Sequence, residues 1–165
     1  MTRKRPQERV RAQIGDVIEI RTPRGLAYAQ YTHEHRDPPR LGSLLRVLPG
    51  LYEARPAEFA TLVEQEEVFS VFFPLGSATR RGLVWIVSNE AVPGAKRPFP
   101  VFRARNSVGG PWWMWDGKRE WRAGPGDTWT PRALQEVWND TLLIERIGEG
   151  WVPADDPSED PDAPD

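Results

Sequence analysis

A chain of 165 residues with 39% hydrophobic and 28% charged residues is one ordinary domain with material for a core, which excludes disorder along its whole length. Cysteine is absent, so disulfide staples, thiolate zinc sites and a cysteine nucleophile are excluded together. The net charge of −2 conceals a polarised chain: residues 1–12 sum to +4, residues 152–165 sum to −6, and the stretch between is neutral.

The chain opens with charge at Arg3, Lys4 and Arg5, with no apolar signal-peptide core behind it, so residues 1–12 read as a flexible basic arm of a cytoplasmic protein. A single globular, β-rich domain is expected over 13–151. Asp16 to Ile20 reads as a strand, Thr22 to Gly25 as a turn and Leu26 to His33 as the returning strand. Asp37-Pro38-Pro39 breaks the chain before a strand from Ser43 to Leu48. In Pro56 to Gln65 the spacing of Phe59, Leu62 and Val63 predicts a helix with proline at its first turn. Strands follow at Val68 to Phe73, Leu83 to Val87 and Phe99 to Ala104; the middle one is apolar on both faces and is expected at the centre of a sheet. The uncharged run from Val68 to Thr79 is too short to cross a bilayer and holds Pro74 and Gly76.

Asp116-Gly117, between Trp113-Met114-Trp115 and Lys118 to Arg122, is the strongest hairpin signal in the chain. A second helix is expected after Thr130 and Pro131, with Leu134, Val137 and Trp138 as its stripe, and a last strand from Leu142 to Ile147. Residues 152–165, rich in proline and acid, read as a disordered tail. The sum is a mainly β, α+β domain. It is a small curled antiparallel sheet or partly open SH3-like barrel with about two short helices.

Catalytic groups are scarce. His33 and His35, with Glu34 and Asp37, lack a distant third ligand for a metal site, and exposed polar residues in a turn are the plainer reading. No Gly-x-Ser-x-Gly elbow or lysine-bearing phosphate loop occurs, and adjacent Glu66 and Glu67 do not face one another. No catalytic residue, cofactor or metal is assigned.

Tryptophan is abundant. Of eight, Trp112, Trp113, Trp115, Trp121 and Trp129 fall within 18 residues. Hairpin alternation puts Trp113 and Trp115 on one face and Trp112 and Met114 on the other, so either the sheet is covered on both sides or some indole is exposed for a partner. Interleaved Arg103, Arg105, Lys118, Arg119 and Arg122 also suit a stacking platform for single strands. The neutral body and acidic tail speak against nucleic acid.

Ile14 to Ile20, Ala27 to Tyr31, the Trp-rich hairpin and Leu142 to Ile147 together resemble the immunity protein 26 family of bacterial polymorphic toxin systems, over roughly residues 13–152. The resemblance implies a small, mostly β cytosolic protein that binds a cognate toxin domain and occludes it without catalysis. Side chains at strand ends and turns are the expected contacts: Tyr28, Tyr31, His33, Arg103, Trp112, Asp116, Arg119 and Asp140. For Tyr28, Trp112 and Asp140, packing or turn formation is an equal alternative. An SH3-like adaptor for nucleic acid or peptide is the competing function.

Overall fold

Side chains directed alternately to two covered faces build the fold from its first strands. The computed structural model describes residues 11–107 and 109–156. Strands β1 (Asp16–Thr22), β2 (Gly25–His35), β3 (Gly42–Val47) and β4 (Phe69–Phe73) form an antiparallel array in chain order. On one face Ile18, Ile20, Ala29, Tyr31, Leu45, Val47, Phe69, Val71 and Phe73 make the main core. The other face carries Val17, Tyr28, Leu44 and Phe72 in two further clusters. Both faces are therefore covered.

Two more strands complete this sheet. β5 (Trp85–Asn89) pairs with β1 and β9 (Ala133–Val137) with β4, giving the order β5-β1-β2-β3-β4-β9. The β4–β9 pair is parallel, so the sheet is mixed rather than antiparallel, and its end strands do not pair with each other. A second sheet of β6 (Phe102–Ala104), β7 (Trp113–Trp115) and β8 (Glu120–Arg122) packs through Phe102 and Trp115 onto Leu44, Phe72 and Ala133. Helices α1 (Ala60–Val63), α2 (Leu75–Arg80) and α3 (Asp140–Gly148) fill the connections. The mainly β, α+β class is as the sequence suggests.

Several local expectations are corrected. The segment expected to be helical around Leu134, Val137 and Trp138 is strand β9, and the segment expected as the last strand, Leu142 to Ile147, lies in α3. Its buried residues, Leu143 and Ile147, are four apart, and the Asn139 side chain accepts from the Leu142 amide at 2.8 Å as its cap. Helix α1 is only four residues of the expected Pro56 to Gln65, and α2 was not anticipated. The strand expected at the sheet centre is β5, at the edge; its apolar residues are only half buried. Most of the basic arm and acidic tail (residues 1–10 and 157–165) lies outside the described residues. Val152–Asp156 is described and holds a 3-10 turn at Pro153–Asp155. Among the described residues no helix is long and apolar enough to cross a membrane.

A buried arginine ties the layers together. Arg46, 2% exposed, projects from β3 to the face opposite the main core. It donates to Gln30 Oε1 at 2.7 Å, to the Val63 carbonyl at 2.9 Å and to the Gln65 carbonyl at 2.6 Å, and its Nε lies 3.6 Å from Glu67 Oε2. Replacing it with an apolar side chain leaves the Gln30 side-chain oxygen and two carbonyls without this donor, and the buried Glu67 carboxylate with Lys96 but no arginine. Arg46→Met is expected to cost about 3–5 kcal/mol, read as a lower urea midpoint at unchanged slope; a loss under about 1 kcal/mol would show that water replaces the guanidinium.

Candidate functional site

The small sheet stands off β9 and leaves a groove of about 550 Å³ between them. Arg103, Arg105, Trp112 and Trp113 line one wall; Gln135 and Glu136 of β9 line the other. Glu120 borders it at the Trp115 end, since Trp115 and Glu120 are paired across β7 and β8.

The arginine wall is a stack. The Arg103 guanidinium carbon lies 3.9 Å from the Trp112 ring centroid and 3.8 Å from that of Trp129, and Arg105 lies 4.5 Å from Trp112. Arg103 and Arg105 are two apart at the end of β6, the spacing that sends side chains to one side of a strand. Each cation–π contact at partial exposure is worth about 0.5–1 kcal/mol. The stack also fixes the positions of both charges before any partner arrives.

The expected site residues fall in different places. Arg103 and Trp112 meet in the stack. Asp116 turns the hairpin: its Oδ1 accepts from the Lys118 amide at 2.9 Å and the Arg119 amide at 2.8 Å, and these amides hold its carboxyl below the ordinary 3.8. Gly117 has φ +93°, and a Cβ there would sit 2.8 Å from the Phe99 ring. Arg119 is exposed, near the Trp121 ring at 5.1 Å. Asp140 occupies the first turn of α3, where its charge suits the helix N-terminus.

Tyr28 and Tyr31 are core residues, 1% and 6% exposed, which takes both off the accessible surface. The Tyr28 hydroxyl donates to Glu19 at 3.0 Å, and Arg55 bonds the same carboxylate at 2.8 Å. Burial, and then Glu19, push Tyr28 up to about 12. Tyr31 donates to Glu34 at 2.6 Å and is likewise raised to about 12, chiefly by burial.

His33 and His35 are not exposed turn residues; both belong to β2. His35 is buried with its ring 4.8 Å from that of Trp115. His33 packs on Phe99 and bonds the Arg97 carbonyl through Nε2 at 2.7 Å. That carbonyl can only accept, so Nε2 carries the proton and Nδ1 accepts from the Thr32 hydroxyl at 2.9 Å. His33 borders a second, smaller pocket of about 210 Å³ with Arg46, Glu67, Ser70 and Lys96. Lys96 reaches Glu67 at 2.9 Å and also pairs with Glu66. Among the described residues no three His, Cys, Asp or Glu side chains are grouped to hold a metal ion.

The tryptophans divide. Trp115, Trp138 and Trp151 are buried, whereas Trp129 is 36% exposed and Trp112 and Trp113 are half buried beside the groove. The sequence pattern misses Gln135 and Glu136; it marks Arg105 only for a nucleic-acid platform and Trp129 only within the tryptophan cluster, and neither is among the expected partner contacts. The two-residue spacing of Arg103 and Arg105 was a usable signal; nothing local marks Trp129, which reaches Arg103 from a loop.

No family model, no curated protein and no solved structure matches this chain.

Two measurements follow from this geometry. Arg103→Met keeps the stem and removes the charge; it is expected to cost about 1 kcal/mol and shift tryptophan emission, whereas Arg119→Ala stays within about 0.5 kcal/mol of the parent. Equal effects of the two changes would show that the stack is not formed. Burial holds His33 below its ordinary 6.5, so its neutral form belongs to the folded state. Its contribution is full above 6.5 and is lost as pH falls through the lower folded value. The stability difference between the parent and His33→Gln should narrow as pH falls from 7 to 5 in denaturant melts; a constant difference would place the imidazole in solvent.

Proposed function

We propose that this chain is a non-catalytic binding protein, an immunity-type inhibitor that neutralises a bacterial toxin domain by covering its functional surface. The observation that carries the binding reading is the stack of Arg105, Trp112, Arg103 and Trp129 on the wall of the groove. Tryptophan and arginine dominate the energetics of protein interfaces, because each combines a large contact area with a directional polar group. Here they are held by one another on a β scaffold, so little side-chain entropy remains to be lost on docking. The toxin as partner, and cytoplasmic location, come from the sequence resemblance.

The same feature bears on the competing adaptor reading. A single-strand platform needs open aromatic faces for bases. At Trp112 and Trp129 guanidinium groups occupy indole surface that bases would need. This favours a protein partner over nucleic acid.

The test is capture of the tagged protein from its host lysate, with nuclease treatment and a high-salt wash, followed by coexpression with whatever protein is recovered. Recovery of one stoichiometric protein whose toxicity in a bacterial host is relieved by this chain is the expected result. That relief should weaken at least about tenfold in Arg103→Glu, the scale of a single interface hot spot. Recovery of nucleic acid alone, lost on nuclease or salt, would overturn the proposal in favour of the adaptor.

A further inference from the structure

Besides the arginine stack, the groove holds an indole that nothing covers. Residues directly opposite one another in the small sheet share a face, so Phe102, Trp115 and Glu120 form one row and Ala104, Trp113 and Arg122 the next. Phe102 and Trp115 pack toward the main sheet, and Ala104 and Trp113, two residues along the same strands, stand on that side as well. Ala104 is too small to cover the flank of the indole beside it. Among the described residues no ring and no guanidinium lies on Trp113, which is half buried and borders the groove.

Polar groups without partners meet this indole. Trp115 is 5% exposed and borders the groove, and its indole N–H makes no hydrogen bond among the described residues. Packing seals the unpartnered Trp151 nitrogen away, but not that of Trp115. The Gln135 amide on the facing wall and the Glu120 carboxylate in the Trp115 row also lack a side-chain hydrogen bond among the described residues. A donor, a donor–acceptor and an acceptor are thus offered around one apolar face. The charges of the lining cancel: Arg103 and Arg105 are already engaged, in the stack and by further contacts, and Glu120 and Glu136 balance them. The space of about 550 Å³ is of the size that holds small molecules.

We propose that this groove binds a neutral saccharide, with one pyranose ring lying on Trp113 beside Ala104 and its hydroxyls bonded to the Trp115 indole N–H, Gln135 and Glu120. A pyranose joins the two properties required together. The C–H bonds of its face carry slight positive charge and are drawn to the negative face of an indole. Each hydroxyl both donates and accepts, so one ring answers an N–H, an amide and a carboxylate without bringing charge. Glu120 and Glu136 disfavour an anion such as a nucleotide, and the two arginines disfavour a cation. The inference goes beyond the toxin-inhibitor reading and does not rest on it: capture of a protein partner succeeds or fails whether or not a sugar binds.

The probes are glucose, galactose, N-acetylglucosamine and cellobiose, each titrated into the full chain to about 50 mM, with sorbitol and adenosine as controls. At least one sugar is expected to bind with a Kd of about 1–10 mM. It should change tryptophan emission and shift the Trp115 indole N–H resonance while that of Trp151 stays fixed. Sorbitol, which has the hydroxyls but no ring face, should not bind. Trp113→Ala should weaken sugar binding at least about tenfold. Should that variant not fold, Gln135→Ala on the strand facing it supplies the second arm, with a loss of at least about threefold expected. No sugar bound at the highest concentration, sorbitol or adenosine bound as tightly as the best sugar, an unmoved Trp115 resonance, or undiminished binding in whichever variant folds would each overturn the proposal.

Discussion

A guanidinium buried in the middle of a sheet is the constraint around which this structure is arranged. Arg46 lies in a cross-strand row with Gln30 and Ser70, all buried, on a face otherwise shared by two apolar clusters. Burying a charge costs several kcal/mol unless hydrogen bonds and an opposite charge answer it. The answers come from the connection between β3 and β4, through the carbonyls of Val63 and Gln65 and the Glu67 carboxylate. That connection therefore cannot slide along the sheet. Its apolar residues Phe59, Leu62 and Val63 are set down on Val17 and Tyr28. Glu67 in turn holds Lys96, which begins the strap leading to the small sheet. One polar group thus links three layers that apolar contact alone would leave free to shift.

The small sheet is seated by aromatic contacts rather than by hydrogen-bonded pairing. Trp115 meets Phe72, Phe99, Phe102 and His35 at centroid separations of 4.8–6.3 Å. Edge-on and tilted rings of this kind add about 0.5–1.5 kcal/mol per pair to the area they bury. Because the aromatic residues anchor one end of the sheet, the other end stands clear of β9, and the groove is the space between.

The period-two pattern of β1 to β4 was legible in the sequence because each strand buries alternate residues on two different cores. The two turns at Thr22–Gly25 and Asp116-Gly117 were legible for a different reason, since their chemistry is local. The exchange of strand and helix after Thr130 has a physical cause. β9 is a short edge strand with an irregularity between Leu134 and Val137, so its apolar residues fall at spacings that imitate a helix. In α3 the run Leu142-Leu143-Ile144 imitates a strand, and the Asn139 cap is the signal that decides it. At the candidate site, Arg103 and Trp112 could be named from the hairpin. Tyr28 and Tyr31 could not be excluded, because polar-tipped aromatic side chains suit either a contact surface or a core whose hydroxyls find carboxylates, and here Glu19 and Glu34 were already waiting.

The parallel pairing of β4 with β9 has a consequence for how the protein comes into being. Ser70 and Ala133 are partners although 63 positions separate them, and the small sheet lies entirely within that loop. Closing such a loop costs about 4 kcal/mol in chain entropy, so it is favoured only once the enclosed segment has found its own contacts. During synthesis β1 to β5 can assemble as soon as they emerge, whereas both walls of the groove exist together only after β9 has been made. The groove is in this sense a late feature of the chain, and a polypeptide ended before β9 would hold most of the sheet yet lack one of its two walls.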